Sequence, residues 1–127
     1  MTTKPSTILI IDDDADIREL LRIILEGEGY HVNLAADGFD ALEQLKAGAR
    51  PALILLDLMT PRMDGEEFLK RLRHGPYAKT PVIIMSGHSA AEKASNELKA
   101  VCCLPKPVEF EELLTTVKRF MPVRAKR

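Results

Sequence analysis

Residues 52–57 read Ala52-Leu53-Ile54-Leu55-Leu56-Asp57, five apolar side chains closed by a carboxylate. A continuous apolar run of this length suits a strand buried on both faces. Three other runs share that character: Ile8 to Ile11, Val82 to Met85, and Ala100 to Leu104. A fifth segment, His31-Val32-Asn33-Leu34-Ala35, alternates polar and apolar residues and suits a sheet edge with one wetter face. Stretches of helical character separate these segments. Five strands alternating with five helices predict an α/β chain, a doubly wound (βα)5 unit whose parallel sheet carries helices on both faces.

The helical stretches differ in how much they can bury. Ile17, Leu20, Leu21, Ile24 and Leu25 fall on one helical face, with Asp14 placed to cap the start and Gly27 or Gly29 to end the helix. Phe39, Leu42 and Leu45 mark a second stripe, Phe68, Leu69 and Leu72 a third, and Phe110, Leu113, Leu114 and Val117 the last. Between the fourth and fifth strands, Ser89 and Glu92 have capping-box spacing, but Ala90, Ala91 and Ala94 bury little and Leu98 is the one large apolar residue. This helix is expected to be the most mobile.

Length and charge narrow the function classes. At roughly 150 residues per domain, 127 residues suggest one domain spanning 1–127, with flexible ends at 1–6 and 122–127 and no separate output module. Eighteen basic and 19 acidic residues leave a net charge of −1, which disfavours a basic nucleic-acid binder and an acidic disordered chain. No apolar run approaches the roughly 20 residues that a membrane-spanning helix needs. The four apolar residues Ile8 to Ile11 are too few for a secretory signal core, so a cytoplasmic location is expected. Cys102 and Cys103 are adjacent, close no useful disulfide loop, and suit small apolar strand positions on opposite faces. The basic residues after Glu112 suit a solvated helix C-terminus.

Ligands of doubly wound sheets bind beyond the carboxyl ends of the strands. Here those ends are Asp12-Asp13-Asp14, Asp57, Ser86, and Lys106-Pro107. If the first and third strands are neighbours, roughly 4.8 Å apart, Asp12 and Asp13 face Asp57. Carboxylates crowded in this way favour a hard divalent cation such as Mg²⁺, which takes one or two carboxylates, several waters and a phosphate oxygen. Lys106 and the Ser86 hydroxyl would add a point charge and a donor for anionic oxygens. Acid, metal, hydroxyl and ammonium together describe a phosphoryl-transfer site.

With those residues assembled, the chain resembles the receiver domain of two-component response regulators over nearly its whole length. The resemblance rests on the acidic pair Asp12-Asp13, the stretch Asp57-Leu58-Met59-Thr60-Pro61-Arg62-Met63-Asp64-Gly65, the pair Ser86-Gly87, and Lys106-Pro107. It implies a flavodoxin-like, five-stranded parallel sheet of order 2-1-3-4-5. It implies Asp57 as the phosphoacceptor, taking a phosphoryl group from a phosphohistidine of a histidine kinase or phosphotransfer protein. It further implies Mg²⁺ (or Mn²⁺) held by Asp13 and Asp57 directly, by Asp12 through water, and by the Met59 backbone carbonyl. Lys106 would pair with the phosphoryl group, Ser86 would move to meet it, and the Lys106-Pro107 bond would be cis. His88 and Met59 occupy the positions that tune the lifetime of the phosphorylated state. The implied output is a switched surface for a downstream protein target, in a monomer or weak dimer, with no direct nucleic-acid contact and no membrane insertion.

The chain departs from the family at Cys103, where receivers usually carry Tyr or Phe, and the segment from Ser86 to Lys106 is short. Signalling through the helix after Ser86, without an aromatic rotamer change, is the corresponding expectation. Two alternatives stand beside this reading: a receiver module excised from a longer hybrid kinase or regulator, and an aspartate-nucleophile phosphatase. The phosphatase motif wants a general acid two residues after the nucleophile, where Met59 cannot transfer a proton.

Overall fold

The computed structural model describes residues 7–58, 60, 62–77, 79–86 and 102–121. Five strands, β1 (Thr7–Ile11), β2 (His31–Ala35), β3 (Leu53–Asp57), β4 (Val82–Ser86) and β5 (Cys102–Pro105), form one sheet. The order is β2-β1-β3-β4-β5 and every pairing is parallel. Four described helices accompany them: α1 (Ala15–Gly27), α2 (Gly38–Lys46), α3 (Gly65–Arg73) and α4 (Phe110–Phe120). The helix expected from Ser89 and both chain ends lie outside the described residues.

Alternation along the central strands divides the core between the two faces. Leu9, Ile11, Ile54, Leu56, Val82 and Ile84 pack with Ala41 and Leu45 of α2 and Phe68, Leu69 and Leu72 of α3. Ile8, Ile10, Leu53, Leu55, Ile83 and Met85 pack on the other face with Leu21 and Leu25 of α1 and Leu113 and Val117 of α4. Burying one such large side chain contributes about 1.5–3 kcal/mol, so the continuous apolar runs of β1, β3 and β4 provide a large share of the driving force. β2 lies at an edge, and its residues run from exposed His31 to buried Ala35 in the alternating manner its sequence implied.

The helix ends follow local chemistry. The Asp14 carboxylate accepts from the amides of Asp16 and Ile17 and so caps α1, satisfying donors that the first turn leaves unpaired. At the other end Gly29 has φ +96°, a left-handed conformation that a residue without Cβ adopts freely, and its amide donates to the Glu26 carbonyl.

Four details correct the reading of the apolar stripes. Phe39 and Phe110 are 44% and 47% exposed, and Leu20 is 40% exposed. A helix laid on a sheet covers only a narrow stripe, and in α2 that stripe is Gly38, Ala41 and Leu45, small enough at its start for close approach. Phe39, one residue on, turns outward. β5 is the other edge strand, so Cys102 and Cys103 are half-buried instead of enclosed on both faces. They do project to opposite faces, Cys103 toward the α2–α3 core and Cys102 toward the α1–α4 core.

Backbone segments approach each other closely where α3 starts. A Cβ on Gly65 would sit 2.7 Å from the Leu58 Cα and 3.1 Å from the Asp57 carbonyl oxygen, both backbone atoms that cannot swing away. Gly65→Ala should therefore lower stability by about 1–3 kcal/mol through overpacking. Urea denaturation monitored by circular dichroism checks this; an unchanged midpoint would show that the turn has room to relax.

Candidate functional site

The site follows from strand register. Ile11 pairs with Leu56, so the next residues, Asp12 and Asp57, emerge side by side at the carboxyl edge of the sheet. Asp12 is fully buried and Asp57 is 4% exposed, whereas Asp13 is exposed. Carboxylate oxygens of Asp12, Asp13 and Asp57 lie within 4.8 Å of one another. Three like charges this close repel, and a low-dielectric setting raises that cost.

Part of the repulsion is offset from β5. The Lys106 ammonium, at the end of that strand, donates to Asp57 Oδ2 at 3.1 Å and to Asp12 Oδ2 at 3.2 Å. Burial pulls the lysine pKa down, but the hydrogen bond to Asp57 and the charges of Asp12 and Asp57 outweigh it and hold the pKa above its ordinary value. Lys106 is therefore a fixed cation at neutral pH. Its raised pKa gives stability that is present at neutral pH and lost only as pH climbs beyond the usual lysine range. The peptide bond from Lys106 to Pro107 is cis.

Further contacts orient the acids. Asp12 Oδ1 accepts from the Asp14 amide at 2.9 Å, and the Arg18 guanidinium, one turn into α1, donates to the Asp12 carbonyl at 2.7 Å. Both Asp12 carboxylate oxygens are thus engaged within the protein, while Asp13 projects outward. The oxygen-only donor set of Asp12, Asp13 and Asp57 fits a hard divalent cation.

In the register of β3 with β4, Asp57 is opposite Met85, and Ser86 pairs with Pro105 of β5. The backbone of Ser86 is therefore placed at the same edge as Asp57 and Lys106. Its side chain, together with Met59 and His88, lies outside the described residues.

Sequence reasoning missed a second charged pair beside the site. Asp37, 2% exposed, caps α2 by accepting from the Asp40 amide and also accepts from Arg62 Nε at 2.7 Å. Burial pushes its carboxyl up, but Arg62 and the Asp40 amide outweigh that and hold it below the usual carboxylate range. The stability linked to this ion pair is present at neutral pH and is lost only as pH falls through that lowered value. An Asp-Gly pair ahead of a helical stripe is a signal from which the cap could have been read; nothing in the sequence points to a partner 25 residues away.

The family model for the response regulator receiver domain matches residues 8–118. Response regulator MprA of Mycobacterium tuberculosis is 38% identical over 116 residues, covering 90% of this chain and 50% of that protein. The chain spans about half the length of the curated relatives it matches. Among solved structures, the chemotaxis response regulator CheY4 of Vibrio cholerae matches with a TM-score of 0.85 and 33% identity, covering 93% of this chain and 100% of that one. The signal receiver domain of a signal transduction histidine kinase from Syntrophus aciditrophicus matches with a TM-score of 0.83 and 29% identity, covering 96% and 97%.

Lys106→Met removes the one side chain that bridges Asp12 and Asp57 among the described residues. In metal-free buffer this variant should lose about 1–3 kcal/mol, because two buried carboxylates lose their counter-charge. Millimolar Mg²⁺ should then raise its Tm by more than it raises the wild-type Tm. Equal Mg²⁺ increments in the two proteins would show that the lysine and the cation do not answer the same charge.

Proposed function

The chain belongs to the response regulator receiver domain family, and from that premise we propose that Asp57 is its phosphoacceptor. It is a receiver domain of two-component signalling, a class whose members interact with histidine kinases. The observation that supports the assignment most strongly is the burial of Asp57 against Asp12 and Asp13 with the Lys106 ammonium 3.1 Å from its carboxylate.

In the proposed reaction an oxygen of Asp57 attacks the phosphorus of a phosphohistidine on a histidine kinase or phosphotransfer protein. A P–O bond forms and the P–N bond breaks, and the electron pair leaves with the imidazole, which takes up a proton. Asp13 and Asp57, the Met59 backbone carbonyl, and Asp12 through water would hold Mg²⁺ (or Mn²⁺), which supplies positive charge for the phosphoryl oxygens in flight. Lys106 pairs with the transferred phosphoryl group and thereby gives up its bridge between Asp12 and Asp57. Ser86 donates to a phosphoryl oxygen, and the segment that follows it is drawn toward the site.

His88 and Met59 tune hydrolysis. Met59 cannot orient water strongly and His88 can, so self-catalysed dephosphorylation is modest. The protein acts as a signalling phosphoacceptor in the cytoplasm, as a monomer or weak dimer, through an unidentified protein target and without direct nucleic-acid contact or membrane insertion. Among the described residues no helix is long and apolar enough to cross a membrane. A stand-alone regulator and a module of a longer regulator would share the same site chemistry.

Acetyl phosphate with Mg²⁺ should add one phosphoryl group to the wild-type protein, read by intact-mass spectrometry. Asp57→Asn should abolish the addition. Labelling of that variant as full as wild type would overturn the assignment.

A further inference from the structure

We propose that Arg62 is a positioning residue for the Asp57 site, acting through a latch to Asp37 that holds the connection between β3 and α3 in shape. The inference rests on the reading of Asp57 as a phosphoacceptor and concerns what keeps that residue's surroundings in place.

Arg62 is the one described non-glycine residue with positive φ, at +57°. Side-chain-bearing residues enter this left-handed region reluctantly, and glycine or asparagine would be the default there. A long side chain at such a position needs compensating contacts, and Arg62 has three. Its Nε donates to Asp37 Oδ2 at 2.7 Å, its Nη2 donates to Asp37 Oδ1 at 3.3 Å, and its Cζ lies 4.8 Å from the centroid of the Phe39 ring. The fork geometry and the cation–π contact are properties of a guanidinium that an ammonium reproduces only in part. They also account for Phe39, whose exposed ring supplies the face on which Arg62 rests.

The latch reaches Asp57 through the backbone. Met63, next to Arg62, has a carbonyl that accepts from the Gly38 amide at 3.3 Å and from Thr60 Oγ1 at 2.8 Å. Two residues later the Gly65 amide donates to the Leu58 carbonyl at 2.9 Å, immediately after Asp57. Gly38 and Gly65 both lack room for a Cβ, so at these points the β3–α3 connection is pressed against the start of α2 and against Leu58. Asp37 begins α2 and is nearly fully buried, which makes it a firm anchor. Among the described residues, the connection that leaves Asp57 is thus fastened to the start of α2 by the Arg62–Asp37 ion pair and by the hydrogen bond from the Gly38 amide to the Met63 carbonyl. Without the ion pair, that hydrogen bond would hold the connection to α2 unaided, and the Met63 carbonyl would part more readily from the Gly38 amide.

The test uses four variants of the whole chain. Arg62→Gly removes the ion pair but adopts positive φ readily, so the fold survives. Asp37→Asn keeps a capping oxygen for α2 and removes the charge. The double variant combines them, and Arg62→Lys restores a cation without the fork. Two readouts apply: the Mg²⁺ concentration for half-maximal Tm shift, which needs no phosphoryl transfer, and the Mg²⁺ concentration for half-maximal labelling by acetyl phosphate. Each single removal should raise both by roughly 3-fold, less than the change of about 10-fold or more expected for a group that touches a metal ligand directly. The double variant should be no worse than either single one, Arg62→Lys should recover part of the loss, and the Gly38 amide should exchange faster in Arg62→Gly. Wild-type Mg²⁺ midpoints in Arg62→Gly, or additive losses in the double variant, would overturn the latch even if Tm falls in every variant. Absence of labelling in the wild type would instead overturn the phosphoacceptor reading, while the Mg²⁺ titration by Tm would still judge the latch.

Discussion

Two buried carboxylates, Asp12 and Asp57, share one ammonium, that of Lys106, across distances of 3.2 and 3.1 Å. Removing a carboxylate from water is costly, and removing two together is tolerable only with a cation between them. That requirement joins three strands far apart in sequence: β1 supplies one acid, β3 the other, and β5 ends where the lysine must stand. Because the whole sheet is parallel, all of these ends fall on one edge. A single antiparallel strand would have sent its charge to the opposite edge and left the acids without compensation.

The same arrangement explains how a stable fold coexists with a charged site. Along β1 and β3 every side chain from Ile8 to Ile11 and from Leu53 to Leu56 is essentially without exposure, and the carboxylates begin directly after. Apolar packing on two faces holds the strands in register, and register alone sets the separation of the acids. A slip along either strand would move a carboxylate into the core or draw apolar residues out of it, so packing energy protects the site geometry. The local contacts at Asp12, from the Asp14 amide and from Arg18, refine the position of one acid but do not bring it there.

Around Asp57 the backbone is held by contacts of a different kind. The connection to α3 is short, contains tight glycine approaches, and includes a residue of positive φ. Leu58 and Met63 root the two ends of this segment in the apolar core, and the Arg62–Asp37 pair with the Gly38–Met63 hydrogen bond ties it to the start of α2. Phe39 shows how the two kinds of contact meet: it leaves the core stripe of α2 and becomes the platform of a guanidinium.

Strand identity, sheet type, the edge position of β2 and the grouping of acids and lysine at strand ends were legible in the chain itself. Each depends on local pattern: continuous or alternating apolar residues, and the polar residue that stops them. The cap at Asp14 was legible for the same reason, since capping is decided within one helical turn. The strand order came through resemblance, because nothing in a strand's own composition names its neighbour. Helical spacing suggested that Phe39, Phe110 and Leu20 were buried, but which residue of a stripe meets the sheet depends on how closely the helix approaches. The pairing of Asp37 with Arg62 was invisible, because two charges 25 residues apart carry no periodicity that links them. The sequence by itself therefore determined the elements and the chemistry at their ends, which follow from side-chain type and short-range spacing. Only the tertiary structure decided which charges meet, because contact between distant residues is set by packing and register across the whole sheet.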